Sequence, residues 1–462
     1  MNVIFPIETI VRELDFRLLL AGLFARKRHR LFIAKTPSSY RLVEQMSGGL
    51  YVGKHLFPPM LLDKPPEAYL VAKKNRFRLI HLSEEGAVFK GDETSWKRYL
   101  DLQLNPQFLA EDDYICTWGD FQREHYLSRG PACASNLRTT GHPRFDLYRD
   151  AFRAIYEDEA RAIRQKYGDF VLVNTNFSAA VNSMGPSYMF SPAIGYDVKN
   201  DTTRRWYVQL WRRISRTMPL YVELVHELSI RRPDMTIVIR PHPTEHVPFY
   251  ADAFKGVPNV KVVREGTVTP WLLACRAMVH EGCTTAVEAH MLDRPIVMFD
   301  PEPDTEHQSY LPNIFGKRTS TLEDAVEAIS EAFDSKKPAK EDDLPLRARQ
   351  LLLNLTKESF PLLLDVMREA EERLNGTAMK GPSTWQVKRD ELREDGIERA
   401  KRVVRPLFPY RKASAIEAYG RFPGFSRREI GRRVEIVRRL TGNPIDVTWH
   451  SPNLLEVTTP TA

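Results

Sequence analysis

Short apolar runs of strand length alternate along this chain with longer stretches in which Leu, Ile, Val and Phe recur at helical spacing. The strand-like runs are VIFP (3–6), LFIA (31–34), RLIHL (78–82), YICTW (114–118), FVLVNTNF (170–177), MTIVIR (235–240), VKVV (260–263), AMVH (277–280) and PIVMF (295–299). Between most of them lie amphipathic stretches such as ETIVRELDFRLLLAGLFARK (8–27). A strand turns successive side chains to opposite faces while a helix repeats every 3.6 residues, so the two patterns are separable by eye. Strands that alternate with helices imply parallel sheets covered on both faces. Two such series, joined at the polar stretch YRDAFRAIYEDEARAIRQKYGD (148–169), predict an α/β chain with two doubly wound, Rossmann-like domains, 1–165 and 166–340. Open α/β sheets bind ligands outside the carboxyl ends of their strands, so a cleft faced by both domains is the expected site.

From about 342 the pattern turns helical, with a strong apolar face in LRARQLLLNLTKESFPLLLDVMREAEERL (346–374) and one more short amphipathic helix within 410–440. This predicts a mainly helical C-terminal extension, 341–462. The length of 462 residues exceeds what one core usually supports, which agrees with at least two lobes. No apolar run approaches the roughly 20 residues of a membrane span, and the start lacks a basic leader with a cleavage site, so the expected location is cytoplasmic. Cys116, Cys133, Cys275 and Cys283 show neither CxxC nor zinc spacing; they read as small buried hydrophobes.

Net charge is +7, but its position says more than its size. Residues 380–440 hold 17 Lys and Arg against 8 Asp and Glu, which leaves the rest of the chain slightly acidic. Arg pairs at 427–428, 432–433 and 438–439 could form a basic helical face. Such a face suits anionic lipid at the inner side of a membrane, and a protein that binds lipid or nucleic acid through it is the reading from another class. Nucleic acid is the less expected partner.

Candidate chemistry gathers at strand ends of the second half. RPHP (240–243) follows a strand, and its two prolines hold the backbone extended around one imidazole. Arg240 offers a planar fork of donors and His242 a proton, both suited to an anion. In VHEGCTTAVEAH (279–290) a glycine-containing turn leads to Thr284 and Thr285 at the start of a helix, where backbone N–H groups can receive phosphate. Glu288 lies one turn further on the same face and could accept from ribose hydroxyls. NTNFSAAVNSMGPS (174–187) brings Asn176 and Ser178 to a third strand end. GHPRFDLYR (141–149) repeats the His-Pro pair and reads as a structural hinge, with Asp146 capping a helix or holding Arg144.

A transferase also needs a base for its acceptor, and the first half supplies SEEG (83–86) at a strand end. Adjacent ionised acids repel, which would raise Glu84 or Glu85 toward the pKa a base requires. Glu13 and Asp15, near Arg12 and Arg17 on the first helix, read as surface ion pairs or as acceptor contacts.

The phrases RELDFRLLLAGLFARKRHRLFI, EEG, WGDFQREH, GHPRFDL, VLVNTNFS, RPHPTEH and PWLLACRAMVHEGCTTAVEA, in that order over residues 1–330, resemble the bacterial surface-carbohydrate-biosynthesis proteins. That family is similar to GT-B glycosyltransferases of CMP-activated keto-sugars, such as Kdo transferases and bacterial sialyltransferases. The resemblance implies a GT-B-like frame and an acceptor base at Glu84-Glu85-Gly86. It also implies a nucleotide-phosphate contact by His242-Pro243 and phosphate binding by Thr284-Thr285. The chain departs from that pattern at Ser83, where relatives carry Asp, and at His142, where they carry Asn. The implied partners are a CMP-activated sugar and a glycan or glycolipid acceptor. No DxD motif is present and a CMP-sugar has one phosphate, so neither a metal nor another cofactor is expected. The nearest rival is a CDP-glycerol-type glycerophosphotransferase, since teichoic-acid polymerases use a similar RPHP loop; UDP-sugar epimerisation is weaker.

Overall fold

The structure is a computed structural model of the chain, and it describes residues 1–59, 62, 64–335, 344–374, 379–404 and 422–460. The chain divides into two compact units. Unit 1 comprises Met1–Ala87, Trp96–Ile155 and Leu344–Ala462; unit 2 comprises Val88–Ser95 and Tyr156–Asp343.

Through the first half run β1 (Asn2–Ile7), α1 (Ile10–Phe24), β2 (Arg30–Lys35), α2 (Thr36–Gln45), β3 (Gly49–Gly53), α3 (Glu67–Lys74) and β4 (Phe77–Leu82). They are followed by α4 (Glu93–Gln103), β5 (Tyr114–Thr117), α5 (Asp120–Leu127) and β6 (Leu137–Thr139). All six residues of β1 are buried, as expected for a strand covered on both faces. The sheet order is β13-β14-β2-β1-β3-β4-β5-β6, and every pair from β2 to β6 is parallel. Its two extra members are C-terminal: β13 (Asp446–Ser451) and β14 (Leu454–Thr458) form a hairpin, and β14 pairs antiparallel with β2.

The C-terminal residues therefore correct one expectation. They are not a separate helical extension, because this hairpin completes the sheet of unit 1. Between the hairpin and unit 2 the chain forms α12 (Leu346–Leu351), α13 (Phe360–Glu372), α14 (Thr384–Val404) and α15 (Arg427–Thr441). α15 packs on α1 through Ile430, Arg433, Val434 and Val437.

Unit 2 contains α6 (Ala154–Tyr167), β7 (Phe170–Asn174), α7 (Asp201–Arg231), β8 (Thr236–Arg240), α8 (Val247–Ala253), β9 (Val260–Val262) and α9 (Thr269–Ala274). It continues through β10 (Ala277–His280), α10 (Thr285–Met291), β11 (Ile296–Phe299), β12 (Lys317–Thr319) and α11 (Leu322–Asp334). Its sheet runs β12-β11-β10-β7-β8-β9 with all pairs parallel. Counted within the unit this is the dinucleotide-binding order 3-2-1-4-5-6, and the order reverses between β7 and β10. α7 is 31 residues long and capped by Asn200, which accepts the Thr203 N–H. It buries Leu210, Ile214, Tyr221, Leu224 and Leu228 on the sheet core of Val171, Ile237 and Val279. The chain thus forms two Rossmann-like units, the expected fold class. No helix among the described residues is long and apolar enough to cross a membrane.

Candidate functional site

At the reversal point of the unit 2 sheet, parallel register places Asn174 between Arg240 on β8 and His280 on β10. Loops leaving the carboxyl ends of these strands carry most of the residues singled out in the sequence. In such sheets the diverging loops on either side of the reversal leave room for a ligand.

The loops after β7 and β8 are joined by a residue the sequence reading overlooked. Glu245 is fully buried, and its carboxylate accepts the Thr175 hydroxyl, the Phe177 backbone N–H and, at 2.9 Å, the Tyr250 hydroxyl. Burial raises its carboxyl above the usual range against the pull of these donors. Backbone bonds from Glu245 N to His242 O at 2.9 Å, Ser183 N to Thr244 O at 2.9 Å and His246 N to Val181 O at 2.8 Å finish the joint. The stiffness of RPHPTEH therefore has two sources, its prolines and a carboxylate tied to the neighbouring strand end. A Glu inside a proline-flanked loop was the available signal.

His242 is half-buried on this support. Its Nδ1 accepts the Thr244 backbone N–H at 3.3 Å and lies 2.8 Å from Thr244 Oγ1 and 3.3 Å from Ser178 Oγ. Those two hydroxyl oxygens are 2.5 Å apart. A ring nitrogen that accepts a backbone N–H carries no proton, so the ring proton belongs to Nε2. Asn176, half-buried, precedes Ser178 by two positions in the same loop.

Across the reversal, Asn174 Nδ2 donates to Thr285 Oγ1 at 3.1 Å, and the Thr285 hydroxyl donates to Cys283 Sγ at 3.1 Å. Gly282 has φ of 61°, the left-handed conformation that favours glycine, where β10 turns into α10. Thr284 occupies the cap position of α10 without a side-chain cap bond, and α10 has seven residues. Glu288 is buried in its first turn.

Arg240 departs from expectation: its guanidinium donates to Glu265 O at 2.9 Å and Gly266 O at 2.6 Å and stacks over Trp271 at 5.9 Å. That use fixes the loop after β9 and engages part of the donor fork assigned to an anion. A second overlooked group steadies the turn after β10. Arg213 of α7, buried, reaches Glu281 Oε1 at 2.5 Å and Asp300 Oδ1 at 3.5 Å, the first residues beyond β10 and β11. The signal was an acid straight after each buried run, in VHEG and MFDP.

Unit 1 presents a contrasting strand end. Ser83 holds the SEEG turn: its hydroxyl donates to Glu85 O at 2.8 Å and accepts the Glu85 N–H at 3.3 Å. Gly86 packs against Trp118, whose ring atoms would lie 2.5 Å from an added Cβ, and Trp118 Nε1 donates to Ser83 O at 2.8 Å. Only glycine fits there.

The two acids of this turn go opposite ways. Glu84 is buried, 2.9 Å from Arg17 Nη2 and 3.4 Å from His142 Nε2. Burial alone would raise its carboxyl, but His142 and Arg17 outweigh it and hold the group below the usual carboxylate range. Glu85 is exposed; it accepts from Tyr99 Oη at 2.7 Å and from Arg12 Nη1 at 3.5 Å. Its carboxyl also sits below the usual range, the partial loss of solvent beside the turn being outweighed by Arg12 and the Tyr99 bond. The expectation that mutual repulsion raises one of this pair is corrected, because each acid has its own cationic partner. A neighbouring carboxyl that is raised is Glu13, pushed to about 7 by burial and by the charge of Glu84.

Glu13 is buried and accepts the Thr9 N–H at 2.8 Å and the Glu8 N–H at 3.3 Å, closing the entry to α1. Asp15 is buried against Arg433 of α15 at 2.5 Å. Both residues are buried rather than on the helix surface where the sequence suggested ion pairs. Asp146, also buried, accepts the Ser359 and Phe360 N–H groups at 2.7 Å each and so caps α13 rather than its own helix.

Two Rossmann-like units, one with a hydroxyl and imidazole cluster where its strand order reverses, define the class. The chain is similar in fold to UDP-GlcNAc 2-epimerase of Methanocaldococcus jannaschii in complex with UDP-GlcNAc and UDP, at 11% identity and TM-score 0.45, covering 80% of this chain and 100% of that one. A structure of the wall teichoic acid polymerase TagF matches at 13% identity and TM-score 0.45, covering 81% of this chain and 90% of that one. UDP-GlcNAc 2-epimerase of Neisseria meningitidis bound to UDP-GlcNAc matches at 11% identity and TM-score 0.43, covering 81% and 99%. At these identities and scores the likenesses assign neither ligand nor reaction to this chain. No family model and no curated protein matches it.

Proposed function

We propose that the protein is a metal-independent glycosyltransferase that moves a Kdo- or nonulosonate-like sugar from CMP onto a hydroxyl of a surface glycan or glycolipid. The observation that carries this reading is the cluster of His242, Ser178 and Thr244 at the strand-order reversal, held by buried Glu245. It supplies an imidazole N–H and hydroxyl donors where open α/β sheets receive phosphate. The resemblance of the EEG, RPHP and CTT phrases to CMP-sugar transferases supports it independently.

In this mechanism the acceptor oxygen attacks the anomeric carbon directly and inverts it. Glu85, the exposed acid of its pair, takes the acceptor proton while the bond from sugar to phosphate oxygen breaks and its electron pair stays on CMP. His242 donates from Nε2 to that phosphate, with Thr284 and, once its hydroxyl turns from Cys283, Thr285 as further donors, and Asn176 and Glu288 serve nucleotide hydroxyls. Neutral and cationic donors aimed at developing charge are a large source of rate enhancement. Attachment of the enzyme to a membrane face through the basic segment 380–440 fits a glycolipid acceptor.

Nucleotide titration tests the reading. CMP should raise the melting temperature more than CDP or UDP, and His242→Ala should remove that rise. A preference for CDP would favour the glycerophosphotransferase reading, and no response to any nucleotide would end both.

A further inference from the structure

Helix α14 divides its charges between two faces. Toward the body of unit 1, Val387 and Glu391 are buried beside the β13–β14 hairpin. Glu391 accepts from Arg41 at 2.7 Å and from Ser451 Oγ at 2.5 Å; Glu394 pairs with the same Arg41, and Asp390 accepts from Gln45 at 2.5 Å. Each acid of α14 with a described side chain thus bonds the body of unit 1, Asp390 accepting in addition from Arg389 of its own helix at 2.9 Å. The opposite face carries Trp385, 67% exposed, and Leu392, 73% exposed, with Ile397 at its edge, 45% exposed. Exposed Lys388, Arg389, Arg393 and Arg399 surround them. Positions 385, 389, 392, 396 and 399 follow helical spacing and share one stripe.

We propose that this outer face of α14 lies on an anionic lipid surface. Trp385, Leu392 and Ile397 enter the headgroup layer while Lys388, Arg393 and Arg399 meet lipid phosphates, and Arg389, paired with Asp390 at 2.9 Å, stacks over Trp385. The chemistry selects this occupant over others. A second copy would bring like charge against like, and RNA would use the cations but leave Leu392 and Ile397 in water. A lipid surface uses both sets. The inference deepens the membrane attachment named above and is independent of the CMP reading, since vesicle binding and nucleotide binding are separate readouts.

The full chain is to be sedimented with phosphatidylcholine vesicles, with and without phosphatidylglycerol. Binding is expected only to the anionic vesicles, weakening as salt rises. Trp385→Ala/Leu392→Ala and Lys388→Glu/Arg393→Glu should each lower it, the latter by about fivefold or more for each cation removed. Lys199→Glu, the same reversal made once at an exposed lysine on unit 2, should leave it intact. All variants should keep the wild-type melting temperature and CMP response, because the altered side chains face outward. Unchanged vesicle binding in both double variants would overturn the proposal. So would failure to bind anionic vesicles, whether the protein binds single-stranded RNA instead, dimerises through this face, or does neither.

Discussion

His142-Pro143 in unit 1 and His242-Pro243 in unit 2 share one local geometry. In each, Nδ1 accepts the backbone N–H two residues on, from Arg144 at 3.2 Å and from Thr244 at 3.3 Å, which assigns the ring proton to Nε2. Their surroundings differ. His142 is fully buried with its ring centroid 5.0 Å from those of both Phe16 and Trp118, and its Nε2 faces Glu84. His242 is half-buried among hydroxyls. Burial pushes His142 down to about 4, leaving it neutral at physiological pH. The dipeptide fixes tautomer and aim, and the environment decides whether the ring is sealed against a carboxylate or left half-buried among hydroxyls.

The sharpest way to break this contrast is to remove each ring. His242→Ala should lower transfer by about 10²–10⁴-fold with an unchanged melting temperature. His142→Ala should cost about 3 kcal/mol in urea unfolding, because it empties a packed aromatic site and removes a partner of buried Glu84. Equal stability losses in both would erase the distinction.

The sealed side is probed next through Glu84. Arg17→Met leaves a buried carboxylate without its cation and should cost about 3–5 kcal/mol, whereas Arg12→Met at exposed Glu85 should cost less than about 1 kcal/mol. Gly86→Ala forces Trp118 aside and should cost about 1–3 kcal/mol, read by the same titration.

The smallest effect is a pH slope from Glu13. Its carboxyl is raised in the folded state, so the protonated form is favoured there. The stability this gives is complete below the unfolded value of 4.5 and is lost as pH rises through about 7. Glu13→Gln should therefore gain on wild type across that window, as seen in melting temperatures at stepped pH. A constant difference would place the titration elsewhere.

Much of this was readable in advance, for identifiable reasons. Strands buried on both faces leave continuous apolar runs, and AMVH at 277–280 coincides with β10. β3 was missed because glycines bracket GLYVG, β6 and β12 because LRT and KRT offer no apolar run, and the hairpin because nothing local links β14 to β2. At the candidate site, residues carried by strand-end loops were legible. What sequence cannot display is which carboxylate meets which donor far along the chain. Asp15 with Arg433 and Asp146 with the start of α13 are such cases, and so is the separation of Glu84 from Glu85. Glu245 hid because its partners lie about seventy residues upstream as well as nearby.

Calorimetric titration of CMP into wild type and His242→Ala tests the central claim most directly. Wild type should bind CMP, and the variant should bind it on the order of tenfold more weakly or worse, the loss expected when a hydrogen bond to a charged phosphate is removed. Equal affinity in the two proteins, or no binding by wild type, would contradict a nucleotide phosphate held at this imidazole.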